Sequence, residues 1–195
     1  MNLQQKFYSV IGFISLFMVS VVQAQESADH NEKFWQALQE GGKVILMRHA
    51  DIDRSMGSSF ILDSSCFEER NLTDLGRKQA KAVNKQFTQH HIKIDQVLAS
   101  PHCRTKETAK LAFGYYKVEP LLRLTKALTV DKANENMLKV KEMIGNYTGL
   151  GNLVLVTHRP NVGELALIRV APAELVVLQP LGDGLFDTIA RAKLD

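Results

Sequence analysis

The chain has 195 residues, 45% hydrophobic and 23% charged, with 24 Lys+Arg against 21 Asp+Glu for a formal charge of +3. That balance excludes a disordered segment, a collagen-like repeat and a disulfide-dense miniature scaffold. The length suits one domain with a full core, and a charge of +3 without a dense Lys/Arg block points to no nucleic-acid partner.

Residues 1–24 set one cation, Lys6, before an uncharged apolar run from Phe7 to Val22 and end in Val22-Gln23-Ala24. That order is the one found in a secretory signal. It leaves residues 25–195 as the folded, functional domain and predicts a periplasmic or secreted location. The apolar run falls short of the roughly 20 residues that cross a bilayer, so no stable membrane span is expected after cleavage. An uncleaved N-terminal anchor is the competing reading. Export would place the only two cysteines, Cys66 and Cys103, where a disulfide persists.

Helical spacing of Phe34, Trp35 and Leu38 predicts a helix over 32–40, stopped by Gly41-Gly42. Val44–Met47 is a continuous apolar run, as in a strand buried on both faces. Residues 51–72 have no period and are rich in Asp and Ser, so they form a long loop of the kind that is usually functional. Thr73 caps a helix from Asp74 to about Gln89, with Leu75, Ala82, Val83 and Phe87 inward and Gly76 a small cost in its first turn. Lys78, Lys81 and Lys85 form its solvated stripe, and His90-His91 close it. A second strand, Gln96–Ala99, runs into Ser100-Pro101, read as N-cap and first helical residue of a helix to Phe113 closed by Gly114. Lys117–Leu122 is irregular around Pro120. A helix over Asp131–Tyr147 turns Ala133, Met137, Val140 and Ile144 inward. Leu153–Val156 is the third buried strand, followed by a short helix over 160–168. Leu175–Leu178 and Phe186–Ala190 form a hairpin around Gly182-Asp183-Gly184. Strands alternating with helices predict an α/β fold, a three-layer α/β/α sandwich with a mostly parallel central sheet.

The ends of the three buried strands carry the chemistry. They deliver Arg48-His49, Pro101-His102-Cys103-Arg104 and Thr157-His158, and in open α/β sheets ligands bind outside the carboxyl ends of strands. A helix N-terminus beside Arg104 favours an anion, and two planar guanidinium forks match phosphate oxygens. One histidine alone would be read as a structural hydrogen-bonder. The four residues together point to an anion site. Two arginines beside two histidines repel a cation, and no carboxylate stands at ligand spacing, so neither a metal nor another cofactor is expected.

LMRHA (46–50), NLTDLGRKQA (71–80), LASPHCRTKETA (98–109) and LVTHRPNVGEL (153–165) resemble, in this order, the four blocks of the histidine phosphatase superfamily. That group includes phosphoglycerate mutases, acid phosphatases and phosphohistidine phosphatases. The likeness runs from about Lys43 to Ala190. The exported context and paired cysteines look most similar to a small secreted or periplasmic branch that includes lipopolysaccharide-core heptose phosphatases. The resemblance implies that His49 is the nucleophile and forms a phosphohistidine. Arg48 and Arg104 would hold the phosphoryl oxygens, and His158 would donate to the same oxygens. The implied partner is a small phosphorylated substrate, such as a phosphosugar or a lipopolysaccharide-core phosphate.

The chain departs from the family pattern in two places. Ser55 stands where many members have a phosphate-binding Asn, so either its hydroxyl or Arg54 would substitute. The general acid is absent from both matched positions, which hold Leu122-Arg123-Leu124 and Arg159. Glu164, Glu119 and Asp131 are the candidates by proximity in sequence. With a good leaving group no acid is needed. Cys66 and Cys103 are either a disulfide pinning the long loop to the helix start or two buried thiols. Substrate specificity should come from residues 51–70 and 115–130. The leading expectation is an exported phosphomonoesterase. The alternatives are a phosphate- or phosphosugar-binding protein without catalysis and, less favoured, a mutase.

Overall fold

The computed structural model describes residues 32–194, so the signal-like segment 1–24 lies outside the described residues. Helical residues 32–40 (α1) lead into β1 (Val44–Arg48). After the long loop come α2 (Asp74–Gln89), β2 (Ile94–Ala99), α3 (Cys103–Phe113) and the short β3 (Lys117–Val118). Two single 3-10 turns (Pro120–Leu122 and Thr125–Ala127) precede α4 (Val130–Gly145), β4 (Asn152–Thr157), α5 (Arg159–Ala166), β5 (Leu175–Gly182) and β6 (Leu185–Ala192). The six strands form one sheet in the order β3-β2-β4-β1-β5-β6. β3, β2, β4 and β1 run parallel, and β5 returns antiparallel to β1 and pairs with β6 as the expected hairpin.

Strand alternation sorts the core into two layers. Ile45, Met47, Val154 and Val156 pack with Phe34, Trp35 and Leu38 of α1, Val83 and Phe87 of α2 and Ala109 of α3. Val44, Leu46, Leu153 and Leu155 pack on the opposite side with Met137, Val140 and Ile144 of α4 and Val162 and Leu165 of α5. The result is the three-layer sandwich. Every residue of β4 is buried, because neighbouring strands cover both its edges and helices cover both its faces.

Three local expectations change. The helix after β2 begins at Cys103 with His102 as N-cap, not at Pro101, because the Ser100 hydroxyl lies 2.8 Å from Nε2 of His158 instead of capping a helix. Leu75 is 58% exposed, and Gly76 and Ala80 take the inward positions with Val83 and Phe87. Gly76 is a requirement of the fold, not a cost, since a Cβ there would stand 2.1 Å from the Asp51 carbonyl oxygen. His90 is the C-cap of α2, and its ring stacks on Trp35 with centroids 3.9 Å apart. Thr73 caps α2 through Gly76 N–H, and Gly114 closes α3 with φ 81°.

Candidate active site

Parallel pairing sets the site. In the register of β1 on β4, Arg48 lies opposite Thr157, so His49 and His158 leave the sheet side by side. Their ring centroids are 5.5 Å apart. β2 on the other flank of β4 ends at Ala99, and the turn through Ser100 carries the chain into α3, whose second residue is Arg104. Thus the carboxyl ends of three adjacent parallel strands bring Arg48, His49, Arg104 and His158 to one rim.

His49 is buried, and its Nδ1 lies 2.8 Å from the Ala50 carbonyl oxygen. A carbonyl only accepts, so Nδ1 carries the proton and Nε2 holds a lone pair. Burial, reinforced by the Arg104 charge and then by Arg48 and His102, pushes the His49 pKa down to about 3 against the raising effect of the Ala50 bond. The ring is therefore a neutral base with its lone pair on the nitrogen remote from Ala50. His158 is also held neutral, its pKa well below the usual value because of burial first and the neighbouring His49 and Arg104 second. Its Nδ1 lies 3.3 Å from Nη2 of Arg104 and its Nε2 faces Ser100. With Arg104 donating to Nδ1, the His158 proton sits on Nε2. The Ser100 hydroxyl both donates and accepts and so suits Nε2 in either tautomer, but a proton on Nδ1 would face the Arg104 donor, which favours the tautomer with Nδ1 as acceptor.

Arg104 is 1% exposed. Its Nη2 also donates to the Ser59 carbonyl at 3.0 Å, and burial lowers its pKa to about 10, so it stays charged. Arg48 donates from Nη1 to the Val170 carbonyl at 2.9 Å, while its buried Nε and that of Arg104 have no hydrogen-bond partner.

Glu69 holds this arrangement and was invisible in the sequence. It is 3% exposed and accepts from Nδ1 of His102 and from the Cys103 N–H, each at 3.0 Å, with Arg104 Nη1 3.8 Å away. Burial first, then Arg104, pushes the His102 pKa down to about 4. A carboxylate in an aperiodic loop carries no sign of burial, and only the pairing of charges after folding reveals it. Cys66 and Cys103 form a disulfide with Cα atoms 5.8 Å apart, so the loop is fastened to the start of α3 twice. Within the loop, Asp63 accepts from Ser65 N and Oγ and from Glu68 N, and these bonds lower its pKa to about 2.

The rim encloses a cleft of about 270 Å³, lined by His49 and His158, by the cations Arg48, Arg54, Arg70, Arg104, Lys126 and Arg159, and by Ile52, Ser59, Phe60, Leu124 and Pro160. Both segments named for specificity, 51–70 and 115–130, contribute to it. Ser55 does not. It is exposed, and its hydroxyl bonds to Oδ1 of Asp53 at 2.5 Å, so of the two proposed substitutes Arg54 is the one that lines the cleft. The three acid candidates are also elsewhere. Glu119 caps a 3-10 turn by accepting from Leu121 N–H at 3.0 Å, and Glu164 and Asp131 are exposed on α5 and α4. Among the described residues, no acid lines the cleft. The described residues contain no cluster of three or more His, Cys, Asp or Glu suited to a metal and no helix long and apolar enough to cross a membrane.

Residues 44–125 match the family model of the histidine phosphatase superfamily, branch 1. No curated protein matches the chain. In fold the chain is similar to the protein histidine phosphatase SixA solved with tungstate, at TM-score 0.58 and 17% identity over 77% of this chain and 96% of that one. It is also similar to an open-reading-frame product from Mycobacterium tuberculosis, at 0.55 and 17% over 75% and 94%. A phosphoglycerate mutase from Thermus thermophilus gives 0.54 and 18% over 78% and 99%. The matched segment holds Arg48, His49 and Arg104, and the fold of this chain brings His158 to them.

Proposed function

We propose that this protein is an exported phosphatase that releases inorganic phosphate from a small phosphorylated substrate through a phosphohistidine on His49. The observation that carries the reading is the neutral His49 ring, its proton fixed on Nδ1 by Ala50, in a cleft that it shares with the guanidiniums of Arg48 and Arg104. Nε2 attacks phosphorus and displaces the leaving group. Arg48 and Arg104 stabilise the charge on the equatorial oxygens, and His158 donates to the same oxygens from Nδ1 once Arg104 turns its Nη2 from that nitrogen to the phosphoryl group. Water then attacks the phosphohistidine, the P–N bond breaks, and Nε2 regains its lone pair while Nδ1 stays protonated throughout. The surrounding cations that suppress protonation of His49 also hold the phosphoryl group.

Export rests on the signal-like residues 1–24, and the Cys66–Cys103 bridge agrees with an oxidising compartment. Those same two features support the finer likeness to the secreted heptose-phosphatase branch. The test is phosphate release from an aryl phosphate by the parent chain beside His49→Ala. Loss of at least about 10³-fold in the variant is expected for removal of a covalent nucleophile. A second reading, a phosphate-binding protein without turnover, is favoured by the absence of an acid among the described cleft residues. It would show as phosphate affinity in a folded parent that releases no product.

A further inference from the structure

Two independent features of the cleft limit what can leave from the phosphorus. The first is charge. Arg48 and Arg104 suffice for a phosphoryl dianion, yet Arg54, Arg70, Lys126 and Arg159 line the same cleft. None of these four makes an ion pair within 4.0 Å among the described residues. Holding them together costs mutual repulsion, and Arg159 and Arg54 already lower the pKa of Arg48, after burial. A second anionic group on the substrate offsets that repulsion.

The second feature is the absence of a proton donor. No acid among the described residues lines the cleft, and His49 and His158 are both neutral. An alkoxide leaving group is roughly as basic as hydroxide, whose conjugate acid has a pKa of about 15.7, so it departs well only when protonated. A phosphate leaving group has its second pKa near about 6 and needs no proton.

Resting on the phosphohistidine reading above, we infer that the preferred substrate is a phosphoanhydride, a terminal phosphoryl group carried on a second phosphate. His49 Nε2 attacks the terminal phosphorus, and the N–P bond forms as the bridging P–O bond breaks. The inner phosphate leaves with the electron pair of the bridging oxygen and with no proton transferred. The four additional cations hold its charge. Water then displaces the histidine, both water hydrogens leave on the released dihydrogen phosphate, and that species gives one to solvent. The proton on His49 Nδ1, donated to the Ala50 carbonyl, never moves.

The test compares kcat/KM of the full chain, in EDTA, on an aryl phosphate, on methyl phosphate and on methyl diphosphate, with His49→Ala as the blank. General acid catalysis contributes about 10²–10⁴-fold, so without it the diphosphate should exceed methyl phosphate by at least about 100-fold. Equal rates on the two, with aryl phosphate turned over, would overturn the anhydride inference and leave the phosphatase reading standing. A folded parent inactive on all three substrates would overturn both. Lys126→Gln and Arg159→Gln, both at exposed positions, should lower the ratio of diphosphate to aryl phosphate activity by at least about tenfold, the size of a lost charge-assisted hydrogen bond. An unchanged ratio in both variants would overturn the assignment of these cations to the leaving phosphate.

Discussion

Glu69 accepts a 3.0 Å hydrogen bond from Nδ1 of His102, and both side chains are almost fully buried. The same carboxylate takes the Cys103 N–H, so one acid from the loop satisfies a backbone donor at the start of α3 and faces Arg104, the second residue of that helix. Removing it leaves these donors buried and unpaired. Glu69→Ala should cost about 3–5 kcal/mol in urea unfolding, the usual penalty for breaking a buried charged pair. It should also lower kcat/KM in the aryl phosphate assay proposed above, because Arg104 loses its counter-charge and the Ser59 carbonyl that anchors it moves with the loop. Glu69→Gln, which keeps an acceptor, should lose less. Equal losses in the two variants would show that charge and not hydrogen bonding is the dominant part.

The disulfide fastens the same loop at a second point. Cys66 and Cys103 are separated by 37 positions, and closing a loop of that length is worth at most about 4 kcal/mol in the chain-entropy model. Reduction should lower the urea midpoint without changing the slope much. A protein whose midpoint is the same with and without reductant would show that the Glu69 contacts alone hold the loop.

Gly76 reverses an ordinary helix rule. In an open helix position Gly→Ala gains up to about 1 kcal/mol. Here the added Cβ would stand 2.1 Å from the Asp51 carbonyl oxygen, and backbone on both sides leaves little to yield. Gly76→Ala should therefore destabilise by about 1–3 kcal/mol, as overpacking does. A thermal unfolding midpoint at or above that of the parent would contradict the close approach of α2 to the segment after His49.

Three histidines tie stability to pH in one direction. His49, His102 and His158 all have folded pKa values below their ordinary one, through burial first. An unfolded histidine titrates near about 6.5. Between that value and about pH 4 the unfolded chain binds protons that the folded chain refuses, so stability is present above pH 6.5 and is lost as the pH falls. The slope approaches about 1.4 kcal/mol per pH unit for each group. Urea unfolding at pH 7.5, 6.5 and 5 should show the decline, and His102→Gln should flatten it. Stability that is constant down to pH 5 would mean that the three rings accept protons in the folded state.

The alternation of apolar runs with helical spacing determined the layers, because a strand buried on both faces and a helix buried on one leave different periods in the chain. The same runs end in Arg48-His49 and Thr157-His158, and the segment after the second strand carries Arg104, so all four residues of the rim were legible as residues at strand ends. That β1, β4 and β2 are neighbours was decided by pairing across the sheet, which no local pattern encodes. So were the buried Glu69, the Ser100 hydroxyl on His158 instead of a helix cap, and the inclusion of Arg70 and Lys126 in the cleft. These residues lie in segments without a period, and their partners are distant in sequence. Their chemistry arises from burial and from charge brought close by folding, and a linear order of side chains contains neither.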